Sequence, residues 1–375
     1  MNDKNKEIIS SIEKEIEKIE KKTNKIFFFV IDTKGVPSGS LWYIYKLAFI
    51  LKEEGYTVEM LHTEDEFVGV GDWLGEEYAS LPHSNVNKGD INTSPADVLF
   101  IPEIYANVMN QTKKLPCKRI AILQNYDYMV EQMPYSVQWG DLGIMNCITN
   151  SDYQASKLKT VFPYVKTTKI TPYIEKCFGA TSEPKQMVVN IVAKDQSDVK
   201  RVVKPFYWKY PSFKWVSFRD LRNQSMEQFA QSLREAEITV WIDDDSSFGY
   251  AALEAMKSGN IVMAKIPTTT LDWSLEDDGS LKNCCVWFDT FETLHKQLAS
   301  VIRSVIMNKV PKVLQEEVDK VLSEFSEDRM RTEFINYLQG SLENRKKEML
   351  NLIEKVKQDD KEENEKDDSG KEAAE

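Results

Sequence analysis

The residues best placed to do chemistry lie between positions 239 and 259, where the chain reads TVWIDDDSSFGYAALEAMKSG. A short apolar run, 239–242, ends in three carboxylates, Asp243, Asp244 and Asp245, followed by Ser246 and Ser247. Phe248-Gly249 then opens a helix-forming segment that carries Glu254 and stops at Ser258-Gly259. A helix start has backbone N–H groups without intrahelical partners and the positive end of the helix dipole, so it suits a phosphate. Gly249 has no side chain to keep a ligand from the backbone.

The flanking elements decide whether that helix start can meet a ligand. The apolar run before it reads as a buried strand, and a second run, 261–264, follows Gly259 at once. Strand, loop, helix and strand in this order make one crossover unit of a parallel sheet. Ligands of such sheets sit at the carboxyl ends of the strands, which is where Gly249 falls. Any α/β protein has several such units and few of them bind anything, so position alone does not assign a site.

The details of the segment add to this. Phe248-Gly249, then Leu253-Glu254-Ala255-Met256, then Gly259 and an apolar strand resemble the nucleotide-sugar loop of GT-B type glycosyltransferases, in particular the retaining, family-four-like group. That group has the pattern E-G-F-G-x-x-x-x-E-A-M-A-x-G. Here Glu254 is the second glutamate, and Ser246 stands where the first would be. The resemblance implies that Glu254 binds ribose hydroxyls, that the Phe248-Gly249 backbone faces the pyrophosphate, and that position 246 contacts the donor sugar. Asp245 is the nearest carboxylate able to replace the missing one. The group also places an arginine and a lysine after the first strand of the second domain, against the leaving diphosphate. Lys194 takes the arginine position, and Lys200 lies one residue out of register with the lysine position. Fixed cations beside a departing diphosphate lower the barrier, although a lysine lacks the fork of arginine. Alternatively, Lys200, Arg201 and Lys204 form a solvated helix face.

The resemblance implies two Rossmann-like α/β domains facing a cleft. Residues 1–24 form a charged helix, 25–183 the acceptor-side domain and 184–310 the nucleotide-sugar domain. Helices over 311–357 cross back, and an acidic tail, 358–375, is poor in apolar residues and expected to be disordered. Residues 25–31 are apolar on both faces and predict a central parallel strand. The loop after it carries Gly35 and Gly39, without strict G-x-G-x-x-G spacing. By resemblance this glycine loop faces the donor phosphate and acceptor. The group tends to have a histidine after the strand at 119–125, where this chain has Gln124 and Asn125, neither an acid nor a base.

Composition narrows the function classes. The chain has 375 residues, enough for two domains, and 42% of them are hydrophobic. A net charge of −12 weighs against a general nucleic-acid or anionic-membrane binder. Five cysteines without C-x-x-C spacing suit reduced thiols in the cytoplasm. The charged first 25 residues do not read as a secretory signal, and no apolar run approaches a membrane span. The three histidines are scattered, so no histidine-rich metal site is expected. Asp243-Asp244-Asp245 can also be read as a D-x-D metal motif of the other large glycosyltransferase fold, but its place before a Ser-Ser-Phe-Gly helix start favours a metal-free site.

Both ends carry narrow apolar stripes: Ile9, Ile12, Ile16 and Ile19, and Leu338, Leu342, Met349, Leu352 and Val356. They are expected to pair as an antiparallel seam within the chain, or else to join subunits. The sequence thus predicts a sugar transferase that uses a nucleotide-sugar donor, without a cofactor and with retention. Its rivals are a degenerate glycosyltransferase fold kept for binding or assembly, and a transferase acting on nucleic-acid bases.

Overall fold

A computed structural model describes residues 3–89 and 91–372. The chain opens with helix α1 (Asp3–Glu20), whose isoleucines at positions 9, 16 and 19 are buried. The first α/β unit is β1 (Lys25–Phe29), α2 (Gly39–Glu53) and β2 (Thr57–His62). The long segment after β2 contains two one-turn helices, α3 (Gly71–Leu74) and α4 (Glu76–Ala79), and a short strand, β3 (His83–Asn85). Then come β4 (Val98–Pro102), α5 (Ala106–Gln111), β5 (Lys118–Leu123), α6 (Tyr126–Gln132), β6 (Asn146–Thr149), α7 (Asp152–Val161) and β7 (Lys166–Lys169). Every pairing in this sheet is parallel, in the order β3-β2-β1-β4-β5-β6-β7. The 25–31 run forms the central β1, and Phe27 and Phe28 are sealed on opposite faces.

The second sheet is built from β8 (Gln186–Ala193), α8 (Gln196–Lys209), β9 (Ser217–Asp220), α9 (Met226–Glu235), β10 (Ala236–Ile242), α10 (Tyr250–Lys257), β11 (Ile261–Lys265) and β12 (Val286–Phe288). It too is wholly parallel, in the order β12-β11-β10-β8-β9. Thus 239–264 is the crossover unit the sequence predicts. Helix α11 (Phe291–Ile306) covers this sheet, its buried Leu294, Leu298 and Ile302 packing with Val240 and Met263. The connection between the sheets runs through residues 170–185.

The helices expected over 311–357 are two, α12 (Lys312–Ser323) and α13 (Glu327–Glu372). Ser326 separates them: its hydroxyl accepts from the Arg329 N–H, and its carbonyl from Met330. Helix α13 returns to the first domain, where Met330, Phe334 and Leu338 join the β1–β4 core. Further along it packs against α1 as the expected intramolecular seam. Buried Leu342, Met349 and Ile353 lie in this contact, whereas Leu352 is exposed. Helix α13 also continues to Glu372, through much of the acidic segment expected to be disordered.

The two strands that sequence reading missed, β3 and β7, are sheet edges. Lys166-Thr167-Thr168-Lys169 has no apolar run to announce it, because an edge strand need not bury both faces. Strand β9 begins only at Ser217, because Pro211–Phe213 ahead of it form a 3₁₀ turn.

Candidate active site in the interdomain cleft

Strand order reverses between β1 and β4 in the first sheet and between β8 and β10 in the second. Such switch points open crevices at the carboxyl ends of the strands. At the first, the loop after β1 is held by buried Asp32. Its carboxylate accepts from the backbone N–H of Lys34 at 2.8 Å and of Val68 at 2.7 Å. Trp73, from the long loop, donates its indole N–H to Thr33 at 3.0 Å, which brings that loop onto the glycine loop. Gly35 has φ +80° and open space where a Cβ would stand, so its role is the turn.

At the second switch point, Lys194 follows β8 and Asp243 follows β10, and they form an ion pair of 2.7 Å across it. Partial burial lowers the Lys194 pKa, but the bond and charge of Asp243 outweigh this and hold it above its usual value. Asp244 pairs with Lys265 at 2.6 Å. Among the described residues no group of three or more histidine, cysteine or acidic side chains is arranged to hold a metal ion.

The two domains meet around a cavity of about 300 Å³. The first domain contributes the backbone from Val36 to Gly39, together with Trp42 and Trp73. The second contributes Leu221, Asn223 and Gln224 after β9, and Tyr250, Ala251 and Glu254 from the first turns of α10. Of the predicted site residues, the fold brings Gly39 and Glu254 together here. A Cβ on Gly39 would lie 3.1 Å from the Tyr250 ring, so this glycine permits the close approach of the two domains. Trp42 meets the same ring edge-on at 5.2 Å between centroids.

The other predicted residues lie outside the cavity lining. Lys200 is on the exposed face of α8, and Asp245 is exposed. Ser246 is buried, and its carbonyl accepts from the Thr269 hydroxyl. Gly249 has φ +81°, and a Cβ there would meet Trp273 at 3.0 Å and Leu271 and Trp241 at 3.3 Å. Apolar side chains therefore fill the space its missing side chain leaves. The Phe248 carbonyl accepts the Trp273 indole N–H at 2.6 Å, and its ring packs between Tyr250 and Phe325. The backbone bordering the cavity is one step further on, at Tyr250 and Ala251, the first residues of α10.

Glu254 faces the cavity from a largely apolar setting. Burial, and secondly the nearby Glu175 carboxylate, push its pKa up to about 8. Glu175 itself contacts Lys46, which is 3% exposed and has the Tyr78 ring 4.3 Å and the Tyr173 ring 5.1 Å from its ammonium. Burial drives these two pKa values toward each other, Lys46 down and Glu175 up. Direct contact opposes both shifts by favouring the charged forms. Helix α2 supplies Lys46 and the interdomain connection supplies Glu175, so the pair sits at the joint between the domains.

Two site features gave no signal in the sequence. Gln224 borders the cavity with a buried Oε1 that has no hydrogen-bond partner among the described residues. Buried amides of this kind ordinarily find one. Asp272, after β11, accepts from the backbone N–H of Asp152 at 2.6 Å and of Tyr153 at 3.1 Å, and pairs with Lys169 at 3.1 Å. A carboxylate of the second domain thus caps α7 of the first and clamps the cleft at its rim.

No protein-family model matches the chain. Over 192 residues it is 23% identical to an alpha-1,6-glucosyltransferase of Actinobacillus pleuropneumoniae serotype 7 (strain AP76), a match covering 48% of this chain and 56% of that protein. The chain therefore spans only about half the length of that curated relative. The sucrose-phosphate synthase of Thermosynechococcus elongatus superposes with TM-score 0.60 at 10% identity, over 86% of this chain and all of the other. The S. aureus protein TarM, solved with UDP, fondaparinux and alpha-GlcNAc-glycerol, gives TM-score 0.61 at 8% identity over 84% of this chain and 99% of its own. The pneumococcal O-GlcNAc transferase GtfA, solved with UDP and GlcNAc, gives 0.57 at 8% identity over 86% and 99%. With its two wholly parallel α/β domains and a carboxyl-terminal helix that returns to the first, the chain has the GT-B fold of these glycosyltransferases.

Proposed function

We propose that this protein transfers a sugar from a nucleotide-sugar donor held between its domains. The observation that carries this reading is the cavity where the glycine loop, the start of α10 and Glu254 converge on a GT-B fold. In this reading the nucleoside enters beside Leu221 and Gln224, and Gln224 Oε1 accepts an N–H from the edge of the base. Glu254 takes the ribose hydroxyls. The N–H groups of Tyr250 and Ala251, in the first turn of α10, face the diphosphate, aided by the helix dipole. Lys194 swings from Asp243 toward the departing diphosphate; its 58% exposed side chain is free to do so. In this reading the reaction is retaining, as the resemblance of the 248–259 segment implies, and needs no metal; the ion pairs of Asp243 and Asp244 with lysines support the second point. The cytoplasm suits its five free cysteines.

A second reading, a GT-B fold kept for binding or assembly, is favoured by one specific feature. The position of the missing first glutamate, Ser246, is buried and outside the cavity, so no carboxylate from position 246 reaches a donor sugar. A thermal-shift panel of nucleoside diphosphates and nucleotide sugars, followed by donor hydrolysis assays, separates the two. Transferase function predicts a ligand that raises the melting temperature by mass action and is then turned over. Stabilisation without turnover across the panel supports the binding protein. No stabilisation by any nucleotide refutes both nucleotide-dependent readings.

A further inference from the structure

Helix α13 crosses the first sheet with two unlike stripes. Met330, Phe334, Leu338 and Leu342 are buried in the core. Beside them runs a polar stripe that includes Asn336, Tyr337, Gly340, Ser341 and Asn344, which faces β5, β6 and β7 across a groove of about 520 Å³. The sheet side of the groove is polar too: Lys118, Asn146, Lys166 and Thr168. In register, Asn146 lies beside Lys166, and all four residues share the sheet face of buried Ile120, Ile122 and Ile148. A strand pair beneath a helix would ordinarily continue that apolar face. Here it changes to ammonium and amide groups.

Three features of the groove set it apart from a packed helix–sheet contact. Ser341 is 7% exposed, and its buried hydroxyl has no hydrogen-bond partner among the described residues; nor has the buried Tyr337 hydroxyl. A Cβ on Gly340 would meet nothing within 4 Å, so a helix-interior glycine leaves space in the wall. Finally, no ion pair joins Lys118 or Lys166 to a carboxylate among the described residues. Lys118 donates only to the Ser341 carbonyl at 3.3 Å. The acidic groups nearby are occupied: Glu333 accepts from Thr171 N–H and pairs with Arg329 at 2.8 Å, and Glu348 pairs with Arg345 at 3.1 Å. The other groove lysine, Lys169, is held by Asp152 and Asp272. Burial lowers the Lys118 pKa; Glu348 opposes this, while Arg345 and Lys166 add to it by repulsion.

We propose that the groove between α13 and the β5–β7 edge binds a phosphoryl group, held by Lys118 and Lys166 and by the Ser341 hydroxyl. Two ammonium groups and a hydroxyl donor match the charge and acceptor capacity of a phosphate. The phosphoryl group comes either as inorganic phosphate or as the ester of a small sugar. The surrounding Asn146, Asn336 and Asn344 amides would contact hydroxyls of the latter. The groove lies on the first domain and shares no lining residue with the interdomain cavity; Lys169, held by Asp272 at the cleft rim, borders it.

Calorimetric titration of the full chain at low salt tests this with inorganic phosphate and glucose 6-phosphate. Binding of phosphate alone identifies a free-anion site, and tighter binding of the ester shows that the amides read the sugar; either supports the proposal. Lys166→Ala, at an exposed position, should weaken binding about tenfold or more. Gly340→Leu replaces a glycine inside a helix by a good helix former. It should therefore fold, fill the groove and abolish binding. Absence of binding by both ligands overturns the proposal, as does binding that neither substitution changes.

Discussion

Glu254→Gln tests the cavity wall through proton linkage. The ordinary carboxyl value is 4.5, and in the folded chain burial and Glu175 raise it to about 8. Between those values the folded protein keeps a proton that the unfolded chain has lost. The stabilisation from this group is therefore complete at low pH and is lost as pH rises through the folded pKa. Each pH unit in the window removes at most about 1.4 kcal/mol. From pH 5.5 to 7.5 the limit is about 2.7 kcal/mol. Water entering the cavity reduces this, and about 1–2 kcal/mol is expected. Glutamine keeps the shape and cannot ionise. Urea unfolding at pH 5.5, 6.5 and 7.5 should give the variant a shallower decline by that amount, and parallel curves would refute the buried, protonated carboxyl. The same variant should bind the best nucleoside diphosphate about 1–3 kcal/mol more weakly by calorimetry above pH 8, where the wild-type group is ionised. Equal affinity there would remove Glu254 from the ribose site while leaving its titration intact.

Other perturbations probe the frame around the cavity. Gly249→Ala places a Cβ 3.0 Å from Trp273 at a φ of +81°, so left-handed strain and overpacking together should cost about 2–4 kcal/mol in chemical unfolding. Wild-type stability in this variant would show that the loop relaxes freely. Asp272→Ala removes the cap on α7 and a partner of Lys169, and should cost about 1–2 kcal/mol with a larger radius of gyration in small-angle scattering. An unchanged radius would mean that the rim contact does not hold the domains together. Deleting residues 1–22 uncovers Leu342, Met349 and Ile353, so the variant should aggregate while the intact protein scatters as a monomer. An intact dimer that the deletion makes monomeric would show that the terminal helices join subunits.

The sequence by itself determined the elements whose residues carry their own periodicity. The apolar runs at 25–31 and 239–242 became central strands because a strand covered on both faces needs no partner pattern to be recognised. Residues 248–259 could be read as a helix start and stop from Gly249 and Gly259, both of which have positive φ. Pairing of the two ends followed from their matching stripes. Which residue faces the seam did not: Ile353 is buried and Leu352 is not, since Ile353 lies about three whole turns beyond Leu342 and the heptad reading drifts from the true helical period. Contacts between distant segments were decided only by tertiary structure. Asp243 follows a strand neighbouring that of Lys194, so the lysine expected at a diphosphate rests on a carboxylate. Gly249, read as room for a ligand, is room for Trp273, and Gly39 is room for Tyr250. Glycine spacing shows that something must come close, but the identity of the neighbour depends on how the sheets and the two domains pack.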